Sequence, residues 1–304
     1  MSGGTFFAIG NISIDDLVFA DGTTMWCVPG GNSIYSALGM AVWGEHPDVI
    51  APIGPEYPMG KLGDRVDFGR CRLIERNLRN WGLYEEDGTR HFTFRSKTRN
   101  WLDFSPTLED LGDGSFTYSH LAPLPWRLQL DLASELRKRG ASLVSVDLDD
   151  RRLAEAPIAE VARMLTLVDL FMPSRQDVTE LFPRLKPLEA LKALRELSPD
   201  TPVIAVKCGA EGVIAHQRNE ADYLASPSAA DRAVDETGAG DAFCGGALVG
   251  FSRRSALADA LAYGAVSASF AVEAVGPAGL VVAQPEAAER QLRRAARQIE
   301  AHPF

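Results

Sequence analysis

Cysteine and histidine are sparse, with four and five copies respectively among 304 residues. Cys27, Cys71, Cys208 and Cys244 stand far apart, with neither a C-x-x-C pair nor a histidine at metal-ligand spacing, which excludes a readable zinc site. Long apolar runs are missing as well, and nothing approaches the ~20 residues that span a bilayer. The opening Met1-Ser-Gly-Gly-Thr-Phe-Phe carries no basic and apolar regions of a signal peptide, so the expectation is a cytoplasmic chain with free thiols and no membrane partner. Basic excess is absent too. Lys and Arg number 31 against 41 Asp and Glu, and the net charge of −10 argues against nucleic acid as a partner. Internal repeats, low-complexity tracts and interdomain linkers are lacking. What is present is 46 % hydrophobic residues, enough to offset the entropy of ordering a core. Residues 1–304 are therefore expected to form a single α/β domain.

Segments of two periods alternate along the chain. Residues 5–9 and 14–19 have strand character, Asp21-Gly22 is a tight-turn signal, and 23–28 completes a hairpin. Pro29-Gly30-Gly31 breaks it, and Asn32-Ser33 is placed to cap a small-residue helix running to Trp43. A strand is expected at 49–53 and a longer helical pattern within 61–81. A second strand pair surrounds Glu85-Glu86-Asp87-Gly88, with 91–94 as its return. From residue 116 the rhythm is regular. Strands at 116–121, 143–147, 168–172 and 203–207 alternate with helices near 127–139, 151–165 and 187–197. That order predicts β-α-β units, a doubly wound, mainly parallel sheet and helices on both faces. An antiparallel pair at 213–216 and 222–225 and helices near 241–252, 255–273 and 285–299 finish the chain. The pieces 14–28 and 82–104 fall outside this rhythm and are expected to form a small β lid.

One stretch carries chemistry. Asp235-Glu-Thr-Gly-Ala-Gly-Asp241 is a small-residue loop running into a helix. Small residues let backbone approach an anion closely, while the unbonded N–H groups and dipole of the helix start attract it. Such a turn holds phosphate without a lysine. Asp241 in its midst is either a cap or a general base aimed at an attacking hydroxyl, and the dipole is expected to keep it ionised. Other phosphate motifs fail. Phe243 occupies the third glycine position of G-x-G-x-x-G, and 54–61 has one residue too many for a Walker A loop, with Leu62 in place of Ser or Thr. Protein-kinase H-R-D and D-F-G elements are missing.

The 235–241 stretch with Ala242-Phe243 resembles the C-terminal signature of ribokinase-like (PfkB) carbohydrate kinases, with Glu236 at a position that varies. Three further stretches are similar to family elements in the same order: Ile9-Gly-Asn-Ile-Ser-Ile-Asp15, Pro29-Gly30-Gly31 before its helix, and Ala205-Val-Lys-Cys-Gly-Ala-Glu-Gly-Val213. The resemblance implies a ribokinase-like α/β fold with a β lid. It also implies transfer of the γ-phosphoryl group of ATP, with Mg2+, to a hydroxyl of a small carbohydrate or sugar acid. Asp241 would be the base, and the amides of Gly238, Ala239 and Gly240 the anion hole, such donors typically contributing on the order of 2.7–4 kcal/mol each. Asp15 would hold sugar hydroxyls, Gly30 and Gly31 would form a hinge, and Asn32 and Tyr35 would face the substrate. Lys207, Gly209 and Thr237 would lie along the nucleotide, and the lid would exclude water.

Three departures from the family pattern stand out. Ser174 and Asp177 replace the Asn and Glu of N-x-x-E, leaving Asp177 to reach magnesium through water. Tyr35 replaces a sugar-binding Asn, which disfavours ribose itself, and Gly54-Pro55-Glu56 lacks the usual acidic pair. Arg95, Lys97 and Arg99 alternate onto one strand face, either as an exposed surface or as a contact for an anionic substrate. Glu273 and Gly276-Pro277 lie where some relatives bind a monovalent cation, a requirement left open. Exposed lid edges make a homodimer an expectation. Two rival functions remain. A nucleoside kinase of the same fold would stack a base on Tyr35, Trp26 or Trp101, and a non-catalytic sugar or nucleotide sensor would have little need of the intact 237–241 loop.

Overall fold

The computed structural model describes residues 4–86, 89–95, 100–149 and 153–304. A nine-stranded sheet runs through it in the order Glu300–Pro303, Asp222–Ser226, Val213–Gln217, Val203–Lys207, Leu170–Phe171, Leu143–Val146, Tyr118–Leu121, Phe6–Ile9, Asp48–Ile50. From Asp48–Ile50 to Val203–Lys207 every neighbouring pair is parallel; beyond that the ladders are antiparallel. Alternate side chains enter two separate cores, as the two-residue period of a strand requires. Phe6 and Ala8 face one and Phe7 and Ile9 the other; Val203 and Ala205 face the first, Ile204 and Val206 the second.

Each core has its own helices. Trp126–Lys138, Ile158–Leu167 and Pro187–Leu197 contribute to one, and Asn32–Ala41, Ala239–Arg254, Leu257–Val272 and Pro285–Arg297 to the other. Ala239–Arg254 is wrapped on all sides, with every residue from 242 to 251 buried. Small residues allow this. A Cβ on Gly245 would collide with the Ser36 carbonyl, so the crossing with Asn32–Ala41 is tight enough to require glycine.

A second sheet of four strands lies apart from the first, in the order Thr24–Gly30, Ser13–Val18, Leu78–Tyr84, Arg90–Phe94. It gathers the two segments expected to form a lid, joined by the parallel pairing of Ser13–Val18 with Leu78–Tyr84. A bulge sets two residues, 26 and 27, opposite Asp16, and Cys27, at φ 55, donates its N–H to Asp16 Oδ1 at 3.0 Å.

The helical pattern expected within 61–81 is not formed. A short 3₁₀ turn, Gly60–Asp64, is followed by Arg72–Leu73, paired with Pro52–Ile53, and then by Leu78–Tyr84. Glycines at 60, 63 and 69 break the apparent helical spacing. The expected helix at 32–43 is present, but Gly31 at φ 109 is its N-cap; Asn32 and Ser33 lie inside. Arg175–Leu181, Ala278–Val282 and the edge strand Glu300–Pro303 are additional elements. The four thiols are free, and among the described residues no helix is long and apolar enough to cross a membrane.

Candidate active site

The chain leaves Phe6–Ile9 in one direction for Asp48–Ile50, then fills the sheet in the other direction from Tyr118–Leu121 onward. In open α/β sheets, ligands bind outside the carboxyl ends of the strands near such a reversal. Asp147 follows Leu143–Val146, Asp177 lies in the first turn of the helix after Leu170–Phe171, and Lys207 ends its strand, so all three converge on that rim. Two cavities open there. The larger, about 490 Å³, is lined by Asp147, Asp177, Lys207, Gly209, Ala239, Gly240 and Asp241, and the smaller, about 380 Å³, by Asp15, Gly31, Asn32, Tyr35, Gly238 and Asp241. Asp241 belongs to both walls.

The loop before Asp241 is held from several sides. Gly238, at φ 74, caps the helix Ala239–Arg254 in the left-handed region, and a side chain there would strike the Tyr35 ring, so glycine is required twice over. The buried Asp235 carboxylate accepts N–H bonds from Thr237 and Gly276, each at 3.0 Å. Ala239 N–H closes a turn onto the Glu236 carbonyl at 3.2 Å. Of the three amides expected to form an anion hole, that of Ala239 is thus engaged in the turn. Gly240 and Asp241 stand in the first helical turn, whose N–H groups have no intrahelical partner.

Electrostatics at this rim run against the dipole argument for Asp241. Burial and the Asp147 carboxylate push its pKa up to about 8, with Lys207 opposing, and its Oδ1 is buried without a hydrogen-bond partner among the described residues. Burial, with a further contribution from Asp147, raises Asp177 to about 7. That carboxylate accepts the Ser174 N–H at 2.6 Å in a capping box, so Asp177 anchors its own helix while it lines the larger cavity. Lys207, expected along the nucleotide, is buried in an ion pair with Asp147. Burial alone would lower its pKa, but the surrounding Asp147, Cys244 and Asp177 raise it above the ordinary value, so the ammonium stays charged.

Around the smaller cavity, Asp15 and Asp16 separate cleanly, because neighbours on a strand face opposite ways. Asp15 faces in and accepts from Asn80 Nδ2 at 2.9 Å, with burial raising its pKa to about 6. Asp16 faces the opposite side of the sheet, buried beneath Arg79 at 2.9 Å and Arg95. Gly30 sits against the Asp15 carboxylate, where any Cβ would collide. Asn32 lines the cavity with both polar atoms engaged, since its oxygen accepts Asn11 N–H at 2.8 Å and its nitrogen donates to the Pro123 carbonyl at 2.6 Å. Thr237, expected on the nucleotide side, lines this smaller cavity.

Other residues singled out in the sequence take the following places. Trp26 lies on the far face of the four-stranded sheet, edge-on to Trp81 at 5.6 Å and 56 % exposed, so it does not line the site. Arg95 follows the strand Arg90–Phe94, pairs with Asp16 and lies 4.5 Å over the Trp81 ring, which takes it out of the cavity. Lys97 and Arg99 lie outside the described residues. The Glu273 carboxylate accepts Asp231 N–H at 3.3 Å. Other cavity residues escaped the sequence reading: Asn80, Phe92, Phe94, Arg90 and Asp147. Asp147 had a usable signal, an acid at the end of a parallel strand. Asn80 falls within the apparent helical spacing of 61–81, and the signal for Phe92 and Phe94 is their alternation onto one strand face.

A model of the family "pfkB family carbohydrate kinase" matches residues 9–283. The chain belongs to the pfkB family. As a member it is a phosphotransferase acting on a hydroxyl. A cytidine kinase of Thermococcus kodakarensis is 24 % identical over 262 residues, 84 % of this chain and 91 % of that one. Aminoimidazole riboside kinase from Salmonella enterica, solved with aminoimidazole riboside and an ATP analogue, matches with a TM-score of 0.75 at 21 % identity, over 95 % of this chain and 99 % of the other. Fructokinase from Vibrio cholerae O395, with fructose, ADP and calcium, has a TM-score of 0.73 at 20 % identity, again over 95 % and 99 %. At these identities the structural likenesses establish the ribokinase fold, while sugar and nucleoside kinases both stand among the relatives.

Proposed function

We propose that this pfkB-family member is an ATP-dependent kinase whose acceptor is a riboside, a ribose carrying a planar ring, rather than a free sugar or sugar acid. One observation carries the choice of acceptor. Beyond Asp15 and Asn80, the smaller cavity is walled by Phe92, Phe94 and Trp101, the last two with ring centroids 5.8 Å apart. Apolar rings of this kind suit a flat aglycone, and base–aromatic stacking is worth about 1–3 kcal/mol per base. Arg95, the described member of the basic triplet that would greet an anionic sugar, is bound to Asp16 instead. A cytidine kinase among the relatives supports this reading, and sugar kinases also stand among them.

The larger cavity fits a nucleotide with magnesium. Amides at a helix start and small walls at Gly212, Ala265 and Ala268 suit a polyphosphate with an apolar ring behind it. Magnesium takes one or two carboxylates alongside phosphate oxygens, and Asp177 and Asp147 are the residues that would hold it, directly or through water. When bound, the cation neutralises charge on the phosphates. Asp15 fixes the ribose through its hydroxyls, and Asp241, on the wall common to both cavities, orients the reacting hydroxyl and takes its proton. The Gly240 and Asp241 amides meet the transferring phosphoryl group. The four-stranded sheet acts as the lid that excludes water.

ATP turnover measured against cytidine, adenosine, ribose, fructose and a sugar acid, with Asp241→Asn beside wild type, tests the reading. Turnover confined to nucleosides and lost in the variant supports it. Turnover of free sugars alone overturns the acceptor assignment, and saturable binding without any turnover overturns the kinase reading in favour of a sensor.

A further inference from the structure

The hairpin end of the four-stranded sheet meets the loop before Asp241 through Arg90. This residue opens the strand Arg90–Phe94 opposite Tyr84. Its Nη1 donates to Thr237 Oγ1 at 2.9 Å and to Asp235 Oδ1 at 3.3 Å, and its Nη2 donates to Glu236 Oε2 at 3.1 Å. Tyr84 adds a hydroxyl contact to Thr237 Oγ1 at 3.4 Å. The Asp235 side chain is fully buried and that of Glu236 is 62 % exposed. The first contact is thus a charge-assisted bond to a sealed carboxylate, and the second a weak surface pair.

The placement of this fork matters more than its strength. Arg90 and Glu236 line the larger cavity, and Thr237 lines the smaller. The ladder that carries Arg90 also carries the acceptor wall, since Asn80 pairs with Phe94 and Gly82 with Phe92 on the same two strands. Any motion of this hairpin therefore shifts Asn80, Phe92, Phe94 and Arg90 together. At the far side, Asp235 orders the 235–241 loop through the Thr237 and Gly276 amides. Glu236 occupies the variable second position of the signature, and its carboxylate gives the guanidinium an acceptor there.

We propose that Arg90 is a positioning residue that couples the two cavities. Filling the acceptor cavity fixes the hairpin and, through the Arg90 fork, sets the 235–241 loop for phosphoryl transfer. Nucleotide binding then works back through the same fork, because coupling between two sites is reciprocal. The guanidinium of Arg90 is bound to Asp235, Glu236 and Thr237, so it acts on the reaction through the 235–241 loop. Its effect lies in the dependence of one site on the other.

The inference rests on the reading that the cavities take an acceptor and a nucleotide, and calorimetry on the full chain separates the two. Cytidine, adenosine and fructose are titrated with and without the non-hydrolysable ATP analogue AMP-PNP and magnesium. In wild type the analogue should tighten the bound acceptor by about fivefold or more, in the usual range for coupled sites. In Arg90→Met that gain should fall below about twofold, with acceptor affinity in the absence of nucleotide changed much less. Arg90→Lys, which keeps the charge and loses the fork, should lie between them and serves if the Met variant fails to fold. Wild-type coupling retained in either folded variant overturns the inference alone, as does a wild type that binds both ligands without coupling. A wild type that binds no acceptor overturns the functional reading and this inference together.

Discussion

Asp241 combines a location that suits a base with an environment that resists its ionisation. Its carboxylate has a buried oxygen with no partner among the described residues, and burial and Asp147 raise its pKa to about 8. A base tuned close to the working pH is an effective proton acceptor, and general-base catalysis contributes ~10²–10⁴-fold. Asp241→Asn should therefore lower kcat by that order while leaving acceptor KM within a few fold, as steady-state kinetics would show. Unchanged kcat would remove Asp241 from the chemistry. The adjacent pair Asp15 and Asp16 offers a sharper contrast, because the two carboxylates face opposite sides of one strand. Charge-assisted hydrogen bonds are worth about 1.5–3 kcal/mol, so Asp15→Ala should raise acceptor KM by ~10- to 150-fold with little loss of melting temperature. Asp16→Ala removes the partner of Arg79 and Arg95 and should do the reverse. A shared phenotype would mean that the strand, and not the facing carboxylate, matters to substrate.

At the scale of elements, the four-stranded sheet supplies Asn80, Phe92 and Phe94 to the wall of the smaller cavity, and the Ala239–Arg254 helix carries the loop before Asp241. Phe94→Ala should raise the KM for a nucleoside by ~5- to 150-fold, the equivalent of about 1–3 kcal/mol of stacking, and leave any turnover of free ribose nearly untouched. Equal effects on nucleoside and ribose would show that Phe94 only supports the sheet. Local regularity explains which elements were legible in the sequence. Tyr118–Leu121, Leu143–Val146, Val203–Lys207 and the helices Trp126–Lys138 and Pro187–Leu197 follow unambiguous two- and 3.6-residue periods, and the 237–241 loop is a contiguous signature. The stretch at 61–81 misled because Leu62 and Val66, four residues apart, mimic a helix face, although they lie in and after a 3₁₀ turn packed on the core. Asn80 was lost with it. Arg90 was illegible for another reason: its partners lie 145 to 147 residues away, and local sequence patterns do not report such contacts.

At the scale of the whole molecule, three carboxylates at one rim carry raised pKa values, and this ties activity to stability in opposite senses. Asp15, Asp177 and Asp241 start from a common value of 3.8 and are raised mainly by burial to about 6, 7 and 8. A carboxyl group with a raised folded-state pKa binds its proton more tightly in the native state than in the unfolded chain. Its contribution to stability is then complete below the ordinary carboxylate range and is lost as pH rises through the folded-state value. Ligand-free protein should accordingly melt at progressively lower temperature between pH 5 and pH 8.5, while kcat/KM rises over the same interval as Asp241 becomes ionised. Asp241→Asn removes the group with the highest of these values, so its melting temperature should fall less steeply with pH and exceed that of wild type near pH 8. Scanning calorimetry of both proteins across that interval, beside the pH profile of kcat/KM, measures each half of the statement. A variant no more stable than wild type at pH 8 would mean that Asp241 is not held in a disfavoured charged state, and the rise in kcat/KM would then need another titrating group.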